Sequence, residues 1–348
     1  MLQEIKLVNF RNFSTAELNF SGRDIILFGR NGSGKSNLLE AVNHLSILRS
    51  FRGARSREEI KIGETEFFLA AKLRKNNLTE TLSVRERSDG RRELFIGNSK
   101  LQKSSEFIGE FQTVPFVPED RMIVGGHSGY RRKFFDILLS CINKNYFFSL
   151  SCYHRALDQR NRALKENKIA AAAAFEEELA VRGTEIGAFR FDCCRKITDV
   201  MNKLLNGKYH FESRYLRAFP DEVDKYFEKL KENRPKEALK KYTLCGPQLD
   251  DFEFRLDGKP LRGYCSAGQQ RLASLLLRLS HFTILKNENS STSVIALIDD
   301  VTGELDKENL DRFLQNIAAA DQRIFTFTDI PESGFFHNAS VIPVEEIK

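Results

Sequence analysis

The sequence predicts an α/β fold in which both ends of the chain build one strand-and-helix lobe, with a helical lobe inserted between the two halves. Three observations predict it. Strand-like apolar runs fill residues 1–120, apolar residues at three-and-four spacing dominate 121–235, and strand character returns over 236–348. A chain of 348 residues has ample material for one large domain or two.

The elements follow in order. "MLQEIKLVNF" alternates like a strand over Leu2–Phe10 and carries no apolar signal core. Asp24–Phe28 ends in four apolar residues and reads as a short buried strand, and the helix after it carries Leu38, Leu39, Val42 and Leu45 at helical spacing. "EFFLAAKL", "TLSVRER" and "RRELFIG" read as strands, with Ser88-Asp89-Gly90 as the turn between the last two. "TVPFVPED" is a short strand closed by Pro118. In the middle of the chain "YRRKFFDILLSCI", "NYFFSLSCYHRALDQRNRALKE" and "AAAAFEEELAVRGTEIGAFRFDCCRKITDVMNKLL" are helical, with Gly183 and Gly187 as candidate kinks in the third. At 1.5 Å per residue such helices reach about 40–50 Å, too short for a long coiled-coil arm. No sustained heptads or internal repeats are present. "FEFRLDGKPLRGY" is a hairpin around Asp257-Gly258, and a helix from Gln269, the strand "VIALI", a helix after Leu305 and the strand "RIFTFT" complete the pattern.

Chemistry enters between the strand ending at Phe28 and the helix after it. Gly29, Arg30, Asn31, Gly32, Ser33, Gly34, Lys35 and Ser36 fit G-x-x-x-x-G-K-[ST] at every fixed position, with Asn37 opening the helix. Glycines let consecutive backbone N–H groups turn inward around an anion, and the helix N-terminus adds its positive dipole end. Lys35 is placed to reach β- and γ-phosphates and the Ser36 hydroxyl to ligate Mg²⁺, so a nucleotide is expected here.

The rest of the composition narrows the classes. Hydrophobic residues at 41% and charged residues at 29% are ordinary for a soluble globular protein. A net charge of +6 permits an anionic partner without demanding one. The six cysteines, at 141, 152, 193, 194, 245 and 265, form no C-x-x-C pair, and the adjacent two cannot readily serve a tetrahedral zinc site. Buried free thiols in a reducing cytoplasm are the expectation. No apolar run approaches the roughly 18 residues of a membrane span.

Two later motifs extend the site. "SVIALIDDVTGELD" sets an apolar strand directly before Asp299 and Asp300, which places Asp299 to hold Mg²⁺ and Asp300 to orient and deprotonate an attacking water. "YCSAGQQRLASLLLRLSHFTIL" puts Ser266 at the N-cap of an amphipathic helix, where its hydroxyl, the Gly268 amide and the helix dipole make a second anion site.

The string from Ser266 through Gly268 and Gln269 to Arg271 resembles the signature motif of ABC-type ATPases, and "GELD", ending at Asp306, sits where the ABC-type D-loop does. The P-loop and this signature flank the whole helical lobe, a layout similar to the chromosome-maintenance, SMC-like branch without its long coiled coil. Within that branch the chain resembles the RecF family over essentially its whole length. The likeness rests on "LVNFRNF", "GRNGSGKSNLLEAV", "SFRG", "FVPED", "GYRRKFFD", "YHRALDQRN", "YCSAGQQR" and "IDDVTGELD". The resemblance implies an ABC-type P-loop ATPase lobe of residues 1–120 and 236–348 around an inserted helical lobe of 121–235. It implies an ATP- and Mg²⁺-dependent DNA clamp with weak DNA-stimulated hydrolysis and ATP-dependent dimerisation. DNA gaps and single-/double-strand junctions would be the substrate, with RecO- and RecR-type mediators as partners in loading recombinase. It makes Lys35, Ser36 and Asp299 the phosphate and Mg²⁺ residues and Asp300 the base, where most ABC ATPases have Glu. Ser266 and Gly268 become γ-phosphate donors across a dimer, Asp306 faces the partner's site, and Arg11-Asn12 lies near the nucleotide. Gln248-Leu249 stand where RecF proteins usually carry His-Arg, the Gln-loop residue has no clear counterpart, and the His common after the last ABC strand is replaced by the neighbourhood of Thr326, Thr328 and Asp329.

DNA contact is expected from "LRSFRGARSR", where Arg49, Arg52, Arg55 and Arg57 cluster after the first helix, with Arg131, Arg132 and Lys133 as the second choice. Nothing resembles base-reading machinery, so contacts should be to phosphates. Other readings fit less well. A defence or nuclease-associated ATPase of the overcoming-lysogenisation type would need an acidic nuclease domain, for which no room is expected after Lys348. A transport or motor ATPase would want a short spacing from P-loop to signature, and a nucleotide-locked scaffold would want Asp300 replaced.

Overall fold

The structure, a computed structural model, describes residues 1–75, 78–288, 292–300, 307–329, 336 and 338–347. It divides into two compact units. The first joins Met1–Asp120 to His281–Lys348, and the second is Arg121–Ser280. No helix among the described residues is long and apolar enough to cross a membrane.

In chain order the strands begin with β1 (Leu2–Phe10), β2 (Phe13–Asn19), β3 (Asp24–Phe28), β4 (Glu66–Lys75) and β5 (Leu78–Arg87). They continue with β6 (Arg92–Ile96), β7 (Ser99–Lys100), β8 (Gln112–Phe116), β9 (Phe211–Leu216), β10 (Asp251–Leu256) and β11 (Lys259–Pro260). The last three are β12 (Val294–Asp299), β13 (Gln322–Phe327) and β14 (Ser340–Pro343).

The first unit holds two sheets. One is antiparallel, ordered β2-β1-β4-β5-β6-β7. Its strands alternate because only one face is covered: Ile5, Leu7, Leu69, Ala71, Leu82 and Val84 are buried in mutual register. The other is parallel, ordered β14-β3-β13-β12-β8. Its central strands are near-continuous apolar runs, as strands covered on both faces must be. The helix Lys35–Ile47 touches strands of both sheets and is buried almost throughout. Four strands escape the sequence reading: β2, β7, β9 and β14. Each lies at a sheet edge, where β2 and β14 bury too few residues to leave an apolar run.

The second unit carries the helices Ser128–Ile142, Lys144–Lys165, Glu176–Leu205 and Val223–Lys240, with a three-stranded sheet β11-β10-β9. It ends at Ser280 rather than at residue 235, so the division falls inside the helix Ala267–Glu288. The cause is pairing: β10 runs antiparallel to β9, Phe252 stacks on Phe135 with centroids 3.8 Å apart, and Asp251 takes both arms of Arg131 at 2.6 and 3.1 Å. Gly183 and Gly187 are not kinks. The helix Glu176–Leu205 runs unbroken through them, and the interruption comes earlier, after Ile169–Ala173. Gly183 instead permits close approach, since a Cβ there would lie 2.6 Å from a ring carbon of Tyr226. The cysteines are free, with Cys193, Cys194 and Cys245 buried and the other three partly so.

One buried polar group ties the first helix to its surroundings. His44 is fully buried, with Nδ1 3.1 Å from Glu59 and Nε2 3.1 Å from Glu86. Burial alone would lower its pKa, but hydrogen bonds and charge from both carboxylates outweigh that and push it up to about 8. Glu86, which burial would raise, is held below the ordinary carboxylate range by His44 and Arg92. Because the folded value of His44 lies above the unfolded one, its contribution to stability is complete below the unfolded value of about 6.5 and is lost as pH rises through about 8. Denaturant unfolding should therefore show the wild type losing about 2 kcal/mol relative to His44→Gln between pH 6 and 9. Parallel pH profiles for the two proteins would refute it.

Candidate nucleotide and metal site

The carboxyl ends of β3, β13 and β12 come level in adjacent positions of the parallel sheet, and the cleft forms there. β3 delivers the loop Gly29–Gly34, in which Gly29, Gly32 and Gly34 take φ of +151°, +82° and +110°. Gly34 is required twice over. Its φ disfavours any side chain, and a Cβ would lie 2.6 Å from Phe13 Cζ and 2.9 Å from Asn12 Nδ2. Lys35 folds back into the loop, its ammonium donating to the Gly29 carbonyl and, at 2.9 Å, to the Arg30 carbonyl. Burial lowers its pKa, while Asp299, Asp300 and Glu345 act in the opposite sense.

The hydroxyls of Ser36 and Thr326 both donate to Asp299 Oδ1, each at 2.8 Å. Thr326 Oγ1 also accepts the Asp300 amide at 3.1 Å. Thr326 sits on the strand between β3 and β12, so it locks the two acidic residues to the rest of the sheet. Asp299 is buried, and Asp300 is exposed with φ +54°, a left-handed conformation that Asp tolerates better than most residues. Lys35, Ser36, Asp299 and Asp300 all line one cleft, together with Asn31 and Arg52.

Arg52 differs from the other arginines of its run. It is exposed as they are, but its side chain also lines this cleft. It donates to Asn37 Oδ1 at 2.9 Å, lies 3.6 Å from Glu40 and reaches within 4.0 Å of Asp299 Oδ2. Glu40, fully buried on the first helix, explains the aim. It accepts two arms of Arg11 at 2.6 and 2.9 Å and the Ser50 hydroxyl, which draws the segment after the helix back over the loop. Arg49, Arg55 and Arg57 are exposed. The second-choice arginines are otherwise engaged: Arg131 is buried on Asp251, and Arg132 donates to the Asp250 carbonyl at 2.6 Å.

The remaining predicted residues distribute as follows. Asn12 lies at the loop, accepting Asn37 Nδ2 at 2.8 Å and donating to the Ser33 carbonyl at 3.4 Å. Ser266, Gly268 and Gln269 belong to the second unit, at the start of the helix Ala267–Glu288. There Gln269 N donates to Ser266 Oγ at 3.2 Å and Ser266 N to Gln269 Oε1 at 2.9 Å, a reciprocal cap. Asp306 lies outside the described residues. Gln112 is buried in β8. Gln248 accepts the Tyr153 hydroxyl at 2.5 Å and donates to the Cys245 carbonyl, whereas Leu249 is exposed. Sequence reasoning missed Thr326 as a tether and Glu40 as a hub. At helical spacing Glu40 falls opposite the Leu38, Leu39, Val42 and Leu45 stripe, where a charge reads as solvent-facing, so the sequence carried no signal for its burial.

The oxygens present suit Mg²⁺. A hydroxyl and a carboxylate side by side, in a cleft that also holds a phosphate loop, are the hard donors this ion takes when phosphates and waters complete its shell. Among the described residues no cluster of three His, Cys, Asp or Glu forms an all-protein cage.

Comparison with known proteins agrees with this geometry. The family described as "RecF/RecN/SMC N terminal domain" matches residues 1–340. The chain is 33% identical over 352 residues to the DNA replication and repair protein RecF of Carboxydothermus hydrogenoformans, covering 98% of each. It is 35% identical over 344 residues to the RecF of Caldanaerobacter subterraneus, covering 94% of each. Among solved structures it resembles the recombination mediator protein RecF-ATP of the RecFOR pathway, with TM-score 0.88, 32% identity and 95% and 93% of the two chains covered. The RecF-ATPrS structure matches with the same TM-score over 99% and 96%.

The aim of Arg52 generates a test. Arg52→Ala should slow ATP hydrolysis about ten- to a hundredfold with no DNA present, because a cation facing the acidic pair is lost. Folding should persist, since Glu40 keeps Arg11 and Ser50. Steady-state turnover in a DNA-free assay decides, and a defect seen only with DNA would return Arg52 to the DNA run.

Proposed function

The chain belongs to the RecF family, within the RecF/RecN/SMC N-terminal domain proteins, and from that premise we propose that it is an ATP-gated DNA clamp of recombinational repair. The observation that carries the reading is the convergence of Lys35, Ser36, Asp299 and Asp300 on one cleft. Mg²⁺, when bound with ATP, would be held by Ser36 and Asp299 and would neutralise phosphate charge. Lys35 binds the β- and γ-phosphates. Asp300, exposed at the mouth and fixed through its amide by Thr326, orients the attacking water and takes its proton. Arg52 balances the charge of the acidic pair.

The signature helix acts on a second copy's nucleotide. Ser266 and Gly268 are exposed, and a Cβ at Gly268 would meet only Ser266 Oγ, at 4.0 Å. Nothing among the described residues requires a glycine there, which supports close approach by something outside the chain. The Ser266 hydroxyl accepts the cap from Gln269 and keeps its own hydrogen to donate. Two protomers about a two-fold axis would close two composite sites, and ATP, with its terminal phosphate, would favour that state over ADP. Asp306 would take part at the same interface. DNA at gaps and strand junctions binds through phosphate contacts of Arg49, Arg55 and Arg57, RecO- and RecR-type proteins act as partners, and hydrolysis is weak and DNA-stimulated. The cytoplasm is the expected location.

Ser266→Arg should bind ATP as a monomer, yet neither dimerise nor hydrolyse it. Mixed with Lys35→Ala, it should regain part of the ATPase activity, because one intact composite site forms in the heterodimer. A mixture as inactive as its parts, with both folded, defeats the shared site.

DNA affinity should fall with salt at a log–log slope of about −3 per protomer if these three arginines neutralise phosphates. The triple alanine variant should flatten that slope nearly to zero in binding titrations. An unchanged slope would return the run to a solvated loop.

A further inference from the structure

A carboxylate from the far end of the chain touches the phosphate loop. β14 pairs in parallel with β3, with Pro343 opposite Phe28, so the residues just beyond each strand come level. Glu345 Oε1 accepts the Arg30 amide at 2.9 Å. The carbonyl of that same peptide group belongs to Gly29, and it accepts the Lys35 ammonium. One peptide therefore has a carboxylate on its N–H end and an ammonium on its C=O end. Both charges are aligned with the peptide dipole, and each hydrogen bond polarises the group that makes the other.

The packing is equally direct. A Cβ on Gly29 would lie 3.5 Å from Glu345 Cγ and 3.1 Å from Ser33 Oγ, so the loop's first turn is held between the two. The carboxylate does not line the nucleotide cleft. Its effect on bound phosphate passes through the peptide and Lys35.

We propose that Glu345 is a positioning residue of the nucleotide site, holding the Lys35 ammonium in the cradle through the Gly29–Arg30 peptide. The inference rests on the nucleotide reading of the cleft. A carboxylate beside a phosphate loop would ordinarily repel the ligand. Here its hydrogen bond to the backbone and the intervening lysine turn it into a brace, and pre-orienting the lysine leaves less to be ordered when the triphosphate arrives.

The test measures ATP and ADP dissociation constants by fluorescent-nucleotide titration on the wild type, Glu345→Gln and Glu345→Ala, with thermal unfolding recorded alongside. Glu345→Ala should weaken ATP and ADP about tenfold, both because Lys35 serves the β-phosphate as well as the γ. Glu345→Gln keeps an acceptor oxygen without the charge and should fall between. The loss should appear in KM, with kcat affected much less, and without a matching fall in melting temperature. A brace for β14 alone would instead lower stability and leave affinity intact. Glu345→Ala binding ATP within twofold of wild type, while Lys35→Ala does not bind, overturns this inference alone. A wild type that binds no ATP overturns the site reading and this inference together. If the alanine variant does not fold, the isosteric glutamine variant decides: a smaller loss of ATP affinity supports the brace, and wild-type affinity overturns it.

Discussion

The register that sets Thr326 opposite both Leu27 and Asp299 is the constraint on which the cleft depends. The phosphate loop extends from one strand, the acidic pair from another, and the strand between them carries the hydroxyl that fixes their separation. A slip of one residue along β13 would turn Thr326 to the opposite face and replace it by an apolar neighbour. Parallel pairing makes such a slip costly, because both faces of these strands are buried.

Around this frame the first helix carries an unusual load of buried charge. Glu40 and His44 lie one turn apart, and each is compensated by groups from elsewhere: Arg11 and Arg52 for the first, Glu59 and Glu86 for the second. Apolar replacements would fill such sites with less desolvation. What the charges supply is direction. Glu40 draws together the turn after β1 and the segment after the helix, and so brings an arginine five residues past the helix end to the edge of the cleft.

Much of the fold was legible in local pattern. The P-loop, the Asp257-Gly258 hairpin and the Asp299-Asp300 strand end are encoded in contiguous residues, and each stands where its pattern implies. What could not be read depends on neighbours distant in the chain. The aim of Arg52 follows from a buried glutamate, the role of Thr326 from which strand lies between β3 and β12, and the contact of Glu345 from an edge strand too short to announce itself. The boundary at Ser280 was hidden for the same reason, since β9 and β10 are separated by a charged helix and recognise each other only in space.

The order in which the parallel sheet is filled has a consequence for synthesis. β3 and its phosphate loop leave the ribosome early, but their neighbours β13 and β14 are made last. At roughly 5–20 residues per second, β3 waits on the order of 15–60 s for a partner on either side. During that interval its apolar strand has no sheet to join, and the antiparallel sheet, whose strands all precede residue 101, is the only part of its unit able to close. Nucleotide cannot stabilise the nascent chain, because the residues that complete its site have not been made.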